Sequence, residues 1–216
     1  MPLKITTWNI NSVRLRINLV ARFLRSAQPD VLCLQETKCP DDAFPLKRFK
    51  QLGYEHAALN GQKGYHGVAV LSRVPFDGVD TQNFCGKTDC RHVSVVLGER
   101  ASLRDPITLD NFYVPAGGDE PDPAINPKFE HKLSFLDEMR AHPRLRPEKS
   151  QRAILVGDLN VAPLEHDVWP FSNELQPLDV RESVFNSTHY IAHYLGSNLG
   201  HSEGARAVLE CVHKEE

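Results

Sequence analysis

The segment 31–35, with the sequence VLCLQ, constrains the fold of this chain more than any other feature. Apolar residues at consecutive positions are typical of a strand that is buried on both faces of its sheet. The preceding segment 13–26 carries four apolar residues on one helical stripe with four arginines outside it, which predicts a helix that Pro29 brings to an end. We therefore expect a sheet covered by other layers of structure.

Short β-branched runs and helical patterns alternate through residue 169. The patterns predict strands at 3–8, 31–35, 54–59, 67–72, 91–97, 107–114 and 153–157, and helices at 13–26, 41–52 and 128–142. Strands that follow one another with only three helices among them predict an α/β fold with a mixed sheet flanked by helices. The Pro- and Gly-rich segment 115–123 predicts an irregular loop, and no clear strand pair is predicted beyond Trp169.

Composition excludes several classes of protein. No stretch of 18 apolar residues is present and the amino-terminal segment lacks the pattern of a secretion signal, so neither a membrane span nor export is expected. The five cysteines contain no CxxC pair, which favours reduced thiols in a cytoplasmic protein. Residues 170–216 carry a net charge of −4 and residues 1–169 a net charge of +1, so most of the negative excess lies in the tail and the charge does not argue against a nucleic-acid partner.

Polar side chains follow four of the predicted strands at the ends where open sheets place their sites. Amide, carboxylate and phenol oxygens gathered at one edge would suit a hard cation, Mg²⁺ or Mn²⁺, better than zinc. Each residue also has a simpler interpretation: the first two asparagines as helix caps, the glutamate as a solvated strand end, the aspartate and last asparagine as turn formers, and the tyrosine as a core residue. These residues are Asn9, Asn11, Glu36, Tyr113, Asp158 and Asn160.

A pocket of this composition suits the hydrolysis of phosphodiesters. A divalent cation held by Glu36 would polarise a phosphoryl oxygen, and Asp158 would orient or deprotonate the attacking water. Asn9 and Asn160 could hold the phosphate or the water without adding negative charge, and Tyr113 could donate a hydrogen bond to a phosphate oxygen.

Five segments then carry a resemblance to a known family. They are TWNINSVRLR at 7–16, LQETK at 34–38, GYHGVAVLSR at 64–73, NFYVPAG at 111–117 and VGDLNVAP at 156–163. In this order and spacing they resemble the exonuclease III type of apurinic/apyrimidinic endonuclease, within the exonuclease–endonuclease–phosphatase superfamily. The resemblance implies a four-layered α/β sandwich in which two sheets meet at the active site, and likewise a divalent metal.

The resemblance also implies roles for individual residues. Its metal-binding positions fall on Asn9 and Glu36, with Asp158 and Asn160 beside the metal and the attacking water, and its catalytic tyrosine falls on Tyr113. Arg14 and Tyr65 match positions that touch the DNA backbone. At Asn11 some relatives carry an aspartate that assists the metal.

The chain departs from the family after Trp169. Relatives continue for roughly a hundred residues with an aromatic segment, a catalytic aspartate and a late Asp-His pair, whereas none of the 14 aspartates here precedes a histidine. We expect an N-terminal part of the family domain at 1–169 and a divergent tail at 170–216, with low stability because the inner sheet face would be partly uncovered. His189 and His193 have metal-ligand spacing on a helix, but surface histidines are the simpler interpretation.

Three functions therefore remain open on the sequence. The first is a monomeric, cytoplasmic DNA-repair nuclease that cleaves double-stranded DNA at abasic sites and 3′ ends. The second is a truncated, inactive remnant of such an enzyme with at most weak DNA binding. The third is a related hydrolase acting on sphingolipids or inositol phosphates. The GYHG and YVPAG segments make it the least favoured of the three.

Overall fold

The computed structural model of the chain describes residues 3–142 and 152–161. These residues form three α-helices and eight strands, with two short 3₁₀ turns at Asp41–Ala43 and Glu99–Ala101. In chain order the elements are β1 (Ile5–Asn9), α1 (Val13–Ala27), β2 (Val31–Gln35), α2 (Leu46–Lys50), β3 (His56–Asn60), β4 (Val68–Ser72), β5 (Gly78–Asp80), β6 (His92–Leu97), β7 (Ile107–Tyr113), α3 (Pro127–Ala141) and β8 (Arg152–Asp158).

The strands form two mixed sheets of four strands each. The first has the order β1-β2-β4-β3, with β1 and β2 parallel and the other pairs antiparallel. The second has the order β5-β6-β7-β8, in which only β7 and β8 run parallel. Each sheet thus contains one parallel pair, β1-β2 or β7-β8.

Alternate residues of β2 explain why its apolar run is continuous. Leu32 and Leu34 pack with α1 and α2, whereas Val31 and Cys33 pack against Val95 and its neighbours in the second sheet. The side chains of a strand point to opposite faces in turn, so a strand between two apolar layers needs apolar residues at every position. The sequence run therefore reflects burial on both faces, as predicted.

Helix α3 covers the outer face of the second sheet. Phe112 of β7 and Leu155 of β8 pack with Phe135, Leu136 and Met139 of that helix. The described residues thus form four layers in the order helices, sheet, sheet, helix, which confirms the expected α/β sandwich.

Two local features differ from the predicted elements. The helix expected at 41–52 is a 3₁₀ turn followed by the short helix α2, because Phe44 is extended and Pro45, the residue immediately before the helix, has a non-helical ψ of +50°. The three-residue strand β5 was not predicted, since it is too short to show a hydrophobic period. The remaining predicted elements are confirmed with boundaries that shift by one or two residues.

Some of the sequence-based expectations lie outside the described residues. These are the domain boundary at 169, the tail 170–216 and the histidines His189 and His193. Within residues 3–142 and 152–161, no helix has the length and apolar character needed to cross a bilayer.

A buried amide, the side chain of Asn111, joins the two sheets. Asn111 of β7 donates to the carbonyl oxygens of Leu34 (3.0 Å) and Ala69 (3.1 Å) in the first sheet and accepts from Gln35 (2.7 Å). Asn111→Leu is expected to lower the free energy of unfolding by about 2–3 kcal/mol, because buried polar groups lose their partners. Thermal unfolding should show this as a midpoint lower by roughly 4–10 °C. The exposed variant Asn83→Leu is the control; equal midpoints for both variants would contradict the prediction.

Candidate active site

Strand periodicity brings three of the predicted site residues to one edge of the space between the sheets. Asn9 ends β1, Tyr113 ends β7 and Asp158 ends β8. In β7, Tyr113 is two residues from Asn111, which faces the first sheet, and in β8, Asp158 is two residues from Val156, which packs between the sheets. A period of two therefore turns these side chains inward, toward the opposite sheet.

Asn9 connects the two carboxylates of the site. Its Nδ2 donates to Glu36 Oε1 (2.9 Å) and to Asp158 Oδ2 (2.8 Å), although Asp158 lies 149 residues away along the chain. The hydroxyl of Tyr113 donates to the same Glu36 Oε1 at 2.9 Å. Neither Asn9 nor Asn11 caps α1, whose N-cap residue is Ser12 without a side-chain cap bond, so the capping interpretation is wrong.

Glu36 is a partly buried carboxylate surrounded by hydrogen-bond donors. Its side chain is 19% exposed, and Lys38 Nζ lies 2.7 Å from Oε2. Burial alone would raise the pKa of Glu36, but the hydrogen bonds from Asn9, Lys38 and Tyr113 and the charge of Lys38 outweigh it and hold the pKa below its usual value. Glu36 is therefore a stable anion in this site, unlike a carboxylate that is simply solvated at a strand end.

Tyr113 has the opposite electrostatic environment. Burial raises its pKa, and the hydrogen bond to Glu36 and the charge of that carboxylate raise it further, while Arg91 opposes the shift. The phenol stays protonated across the physiological range and acts as a hydrogen-bond donor. The guanidinium of Arg91 lies over the Tyr113 ring, 4.9 Å from its centroid, and also donates to the Tyr113 carbonyl oxygen at 3.1 Å.

Asp158 uses both carboxylate oxygens. Oδ1 accepts from the backbone N–H of Asn160 at 3.0 Å, and Oδ2 accepts from Asn9. The turn-forming interpretation of Asp158 is thus correct as well, and it fixes the carboxylate rather than competing with the site. The Asn160 side chain donates through Nδ2 to the carbonyl oxygen of Val114 at 2.7 Å, which ties the end of β8 to the end of β7.

His66 and Arg91 belong to this region but were not predicted as site residues. Arg91 Nη2 contacts His66 Nε2 at 2.9 Å, and Asp89 pairs with the Arg91 Nε. An arginine always donates, so His66 Nε2 accepts from Arg91, while Gln62 Nε2 lies 3.1 Å from His66 Nδ1. Burial lowers the pKa of His66, and Arg91 lowers it further, consistent with the neutral form.

The two predicted DNA-contacting residues lie at the surface around this network. Tyr65 is 73% exposed, and its ring centroid is 6.3 Å from that of His66, which in turn is 5.9 Å from the ring of Tyr113. Arg14 is exposed in the first turn of α1, directly after the strand end that carries Asn9. Tyr65 is therefore connected to the inner residues through rings, and Arg14 follows the strand end that carries Asn9 by five residues.

Left-handed backbone conformations concentrate in the same segments. Non-glycine residues with positive φ cost free energy and persist where the surrounding structure holds them, which is common at functional sites. Six of those in the described residues lie in the segments that form this site: Asn11, Ser12, Glu36, Lys38, His66 and Asn160.

The donor set fits a hard divalent cation. The ammonium of Lys38 lies between Glu36 Oε2 and Asn11 Oδ1, 2.5 Å from the latter, which shows that oxygen atoms here already accept a positive group. The carboxylates of Glu36 and Asp158 converge on one amide nitrogen, and oxygen ligands of this kind are those that Mg²⁺ and Mn²⁺ prefer. Residues 3–142 and 152–161 contain no group of three or more His, Cys, Asp or Glu side chains placed to hold a metal ion. Metal ligation by Asn9, Glu36, Asp158 and Asn160 therefore stays a prediction.

Comparison with known proteins identifies the family of this chain. The pattern of the Endonuclease/Exonuclease/phosphatase family matches residues 6–199. The chain belongs to this family. Exodeoxyribonuclease III of Haemophilus influenzae is 30% identical over 166 residues, which are 77% of this chain and 60% of the relative. The chain therefore spans about 60% of the length of this curated family member.

Solved structures of the family show the same architecture. An AP endonuclease from Archaeoglobus fulgidus is 28% identical with a TM-score of 0.69, covering 89% of this chain and 70% of that one. A 3′ phosphatase, NExo, from Neisseria, bound to product DNA hairpin, is 25% identical with a TM-score of 0.70, covering 89% and 71%. The predicted resemblance to exonuclease III and AP endonucleases is confirmed, as is the fold class.

Proposed function

We propose that this chain is a divalent-metal-dependent nuclease that hydrolyses phosphodiesters of double-stranded DNA at abasic sites and 3′ ends. The observation that carries the proposal is the pair of carboxylates, Glu36 and Asp158, that Asn9 joins beside the hydroxyl of Tyr113. Its family includes exodeoxyribonuclease III and AP endonucleases, which supports this substrate class.

Glu36 would hold the metal, and Asn11, whose Oδ1 shares the Lys38 ammonium with Glu36, could supply a further oxygen. When bound, the cation supplies Lewis-acid polarisation of a phosphoryl oxygen and stabilises the leaving oxygen. Lys38 would then release Glu36 Oε2 and remain close enough for its charge to attract the phosphate backbone.

Asp158, Tyr113 and Asn9 would each have a separate role in the reaction. Asp158, held through both carboxylate oxygens, would accept a proton from the attacking water. Tyr113, kept protonated by its surroundings, can turn its O–H from Glu36 to a phosphate oxygen and stabilise charge as it develops. Asn9 orients both carboxylates without adding negative charge near the phosphate.

The roles of Arg14 and Tyr65 belong to substrate binding. Tyr65 presents an exposed ring beside His66, where it can contact the DNA backbone or sugar, and Arg14 adds positive charge at the start of α1. The competing proposal is an inactive relative, because the family's late Asp-His pair has no counterpart in this sequence. A preorganised phosphate donor of this type contributes about 10²- to 10³-fold to the rate.

A cleavage assay separates the two proposals. The substrate is a labelled duplex with one abasic site, incubated with Mg²⁺ or with EDTA. Activity is expected with Mg²⁺ and is expected to disappear with EDTA, and Asp158→Asn should lower kcat by about 10²- to 10³-fold because the amide cannot take the proton. Asp105→Asn, an exposed change of the same kind, is the matched control. No cleavage by the wild-type chain, or equal cleavage by both variants, would overturn the proposed function.

A further inference from the structure

A buried lysine lies behind the site, on the helix that covers the second sheet. Lys132 of α3 is 8% exposed, and its Nζ donates to the carbonyl oxygens of Asn160 at 2.6 Å and of Ala116 at 3.2 Å. Lysine is among the residues least often buried, and a buried ammonium must find acceptors. Burial lowers the pKa of Lys132, which the negative charge of Asp158 partly offsets.

The two acceptors belong to the two loops that leave the site. Ala116 lies three residues after Tyr113, and Asn160 lies two residues after Asp158. The same loops are linked again by the Asn160 side chain, which donates to the carbonyl oxygen of Val114. One ammonium thus holds the segment after β7 and the segment after β8 from the side opposite to the carboxylates.

The surrounding backbone is shaped to admit the lysine stem. Gly117 has φ of +91°, and a Cβ at this position would lie 2.8 Å from Lys132 Cδ and 3.3 Å from Phe129 Cδ2. A side chain at residue 117 would therefore compete with the lysine for the same space. The Lys132 stem is therefore in direct contact with the loop at Gly117, in addition to the two hydrogen bonds of its ammonium.

A short chain of hydrogen bonds leads from the ammonium to the carboxylate. Lys132 fixes the carbonyl of Asn160, and the N–H of the same residue donates to Asp158 Oδ1, which leaves Oδ2 directed at Asn9. Asn160 has φ of +50°, a conformation that asparagine tolerates but that requires support.

We propose that Lys132 is a positioning residue for the reaction, which holds Asn160 and so sets the orientation of the Asp158 carboxylate and the distance between the loops after β7 and β8. The expected effect of Lys132 on the reaction rests on the proposed function. The positioning of the two loops by Lys132 does not depend on that function. Lys132 lies behind the site and is not assigned any contact with substrate.

Lys132→Met tests the proposal, because methionine keeps an unbranched stem against Gly117 and removes the donors. We expect kcat on the abasic duplex to fall roughly 10- to 100-fold with KM changed by less than about threefold, as for a catalytic group displaced by a fraction of an ångström. Lys132→Arg keeps the positive charge and the hydrogen-bond donors. On a logarithmic scale, its kcat should retain at least about a third of the activity that Lys132→Met loses. Lys128→Met, one turn earlier on the exposed side of α3, is the matched control.

Hydrogen exchange supplies a readout that does not depend on activity. In Lys132→Met the amides of Asn160 and of Gly117 should exchange at least about tenfold faster, while amides in the middle of α3 and β7 keep their wild-type rates. Wild-type exchange at both loop amides would overturn the proposal, as would faster exchange spread evenly through α3 or an unchanged kcat in an active enzyme. A wild-type chain without nuclease activity that still shows the local exchange response would instead overturn the proposed function and keep the structural role of Lys132.

Discussion

Glu36→Gln is expected to lower kcat for cleavage of abasic DNA by about 10³- to 10⁴-fold, the largest loss of activity among the variants considered. The carboxylate receives hydrogen bonds from Asn9 and Tyr113 and an ion pair from Lys38, and it is the proposed metal ligand. Glutamine has the same shape but no charge, so it removes several kcal/mol of transition-state stabilisation that an anion and its cation provide.

The loss should be confined to chemistry and metal affinity. Because glutamine is nearly isosteric, the thermal unfolding midpoint is expected to stay within roughly 4 °C of the wild type. Raising Mg²⁺ should recover part of the activity if the variant binds metal weakly. Glu55→Gln, an exposed change of the same type, should behave as the wild type in both assays. Cleavage by Glu36→Gln within tenfold of the wild-type rate would remove Glu36 from the metal site.

The fold could be predicted from the sequence in those segments where the hydrophobic residues follow one clear pattern. The apolar run in β2 indicates burial on both faces, and the stripe along α1 indicates a helix that packs on one side. Together these two patterns predict that helices and sheets stack in layers. The short helix α2 and the strand β5 could not be predicted to the residue, because Pro45 interrupts one pattern and three residues are too few to establish the other.

The candidate site was predictable to the extent that its residues follow the carboxyl ends of strands. Asn9, Tyr113 and Asp158 all do. His66 and Arg91 instead precede β4 and β6, which run antiparallel to β2 and β7 and so begin at the edge where those strands end. The signal that could have found them is strand polarity: in a mixed sheet both ends of strands reach one edge.

Lys132 shows a different limit of sequence-based reasoning. In the helix predicted at 128–142, the structure buries Lys132 and Phe135 and leaves Leu133 half-buried. A lysine next to a predicted apolar face is normally assigned to solvent. The carbonyl oxygens of Ala116 and Asn160 accept its hydrogen bonds and so allow its burial, and their position depends on tertiary structure.

Gly157→Ala is expected to have the largest effect on stability. Gly157 pairs with Phe112 across β7 and β8 and has φ of +135°. A Cβ there would lie 1.9 Å from the Phe112 carbonyl oxygen and 2.8 Å from its carbonyl carbon, so the clash is with backbone and cannot be relieved by a rotamer change. The strand would have to move away from its partner, at a cost of about 3–5 kcal/mol, and the unfolding midpoint should fall by more than roughly 8 °C.

A second glycine separates the clash from the strain of the backbone. Gly86 also has positive φ, +62°, but a Cβ there meets nothing within 4 Å, so Gly86→Ala should cost only about 1 kcal/mol. Because Asp158 follows Gly157 directly, displacement of β8 also moves the proposed base, and the folded fraction of Gly157→Ala should cleave abasic DNA at least about 100-fold more slowly. Similar midpoints for the two variants would show that β7 and β8 are not packed as closely as this structure places them. A large loss of stability with unchanged cleavage per folded molecule would show that the position of Asp158 does not depend on the pairing of β7 with β8.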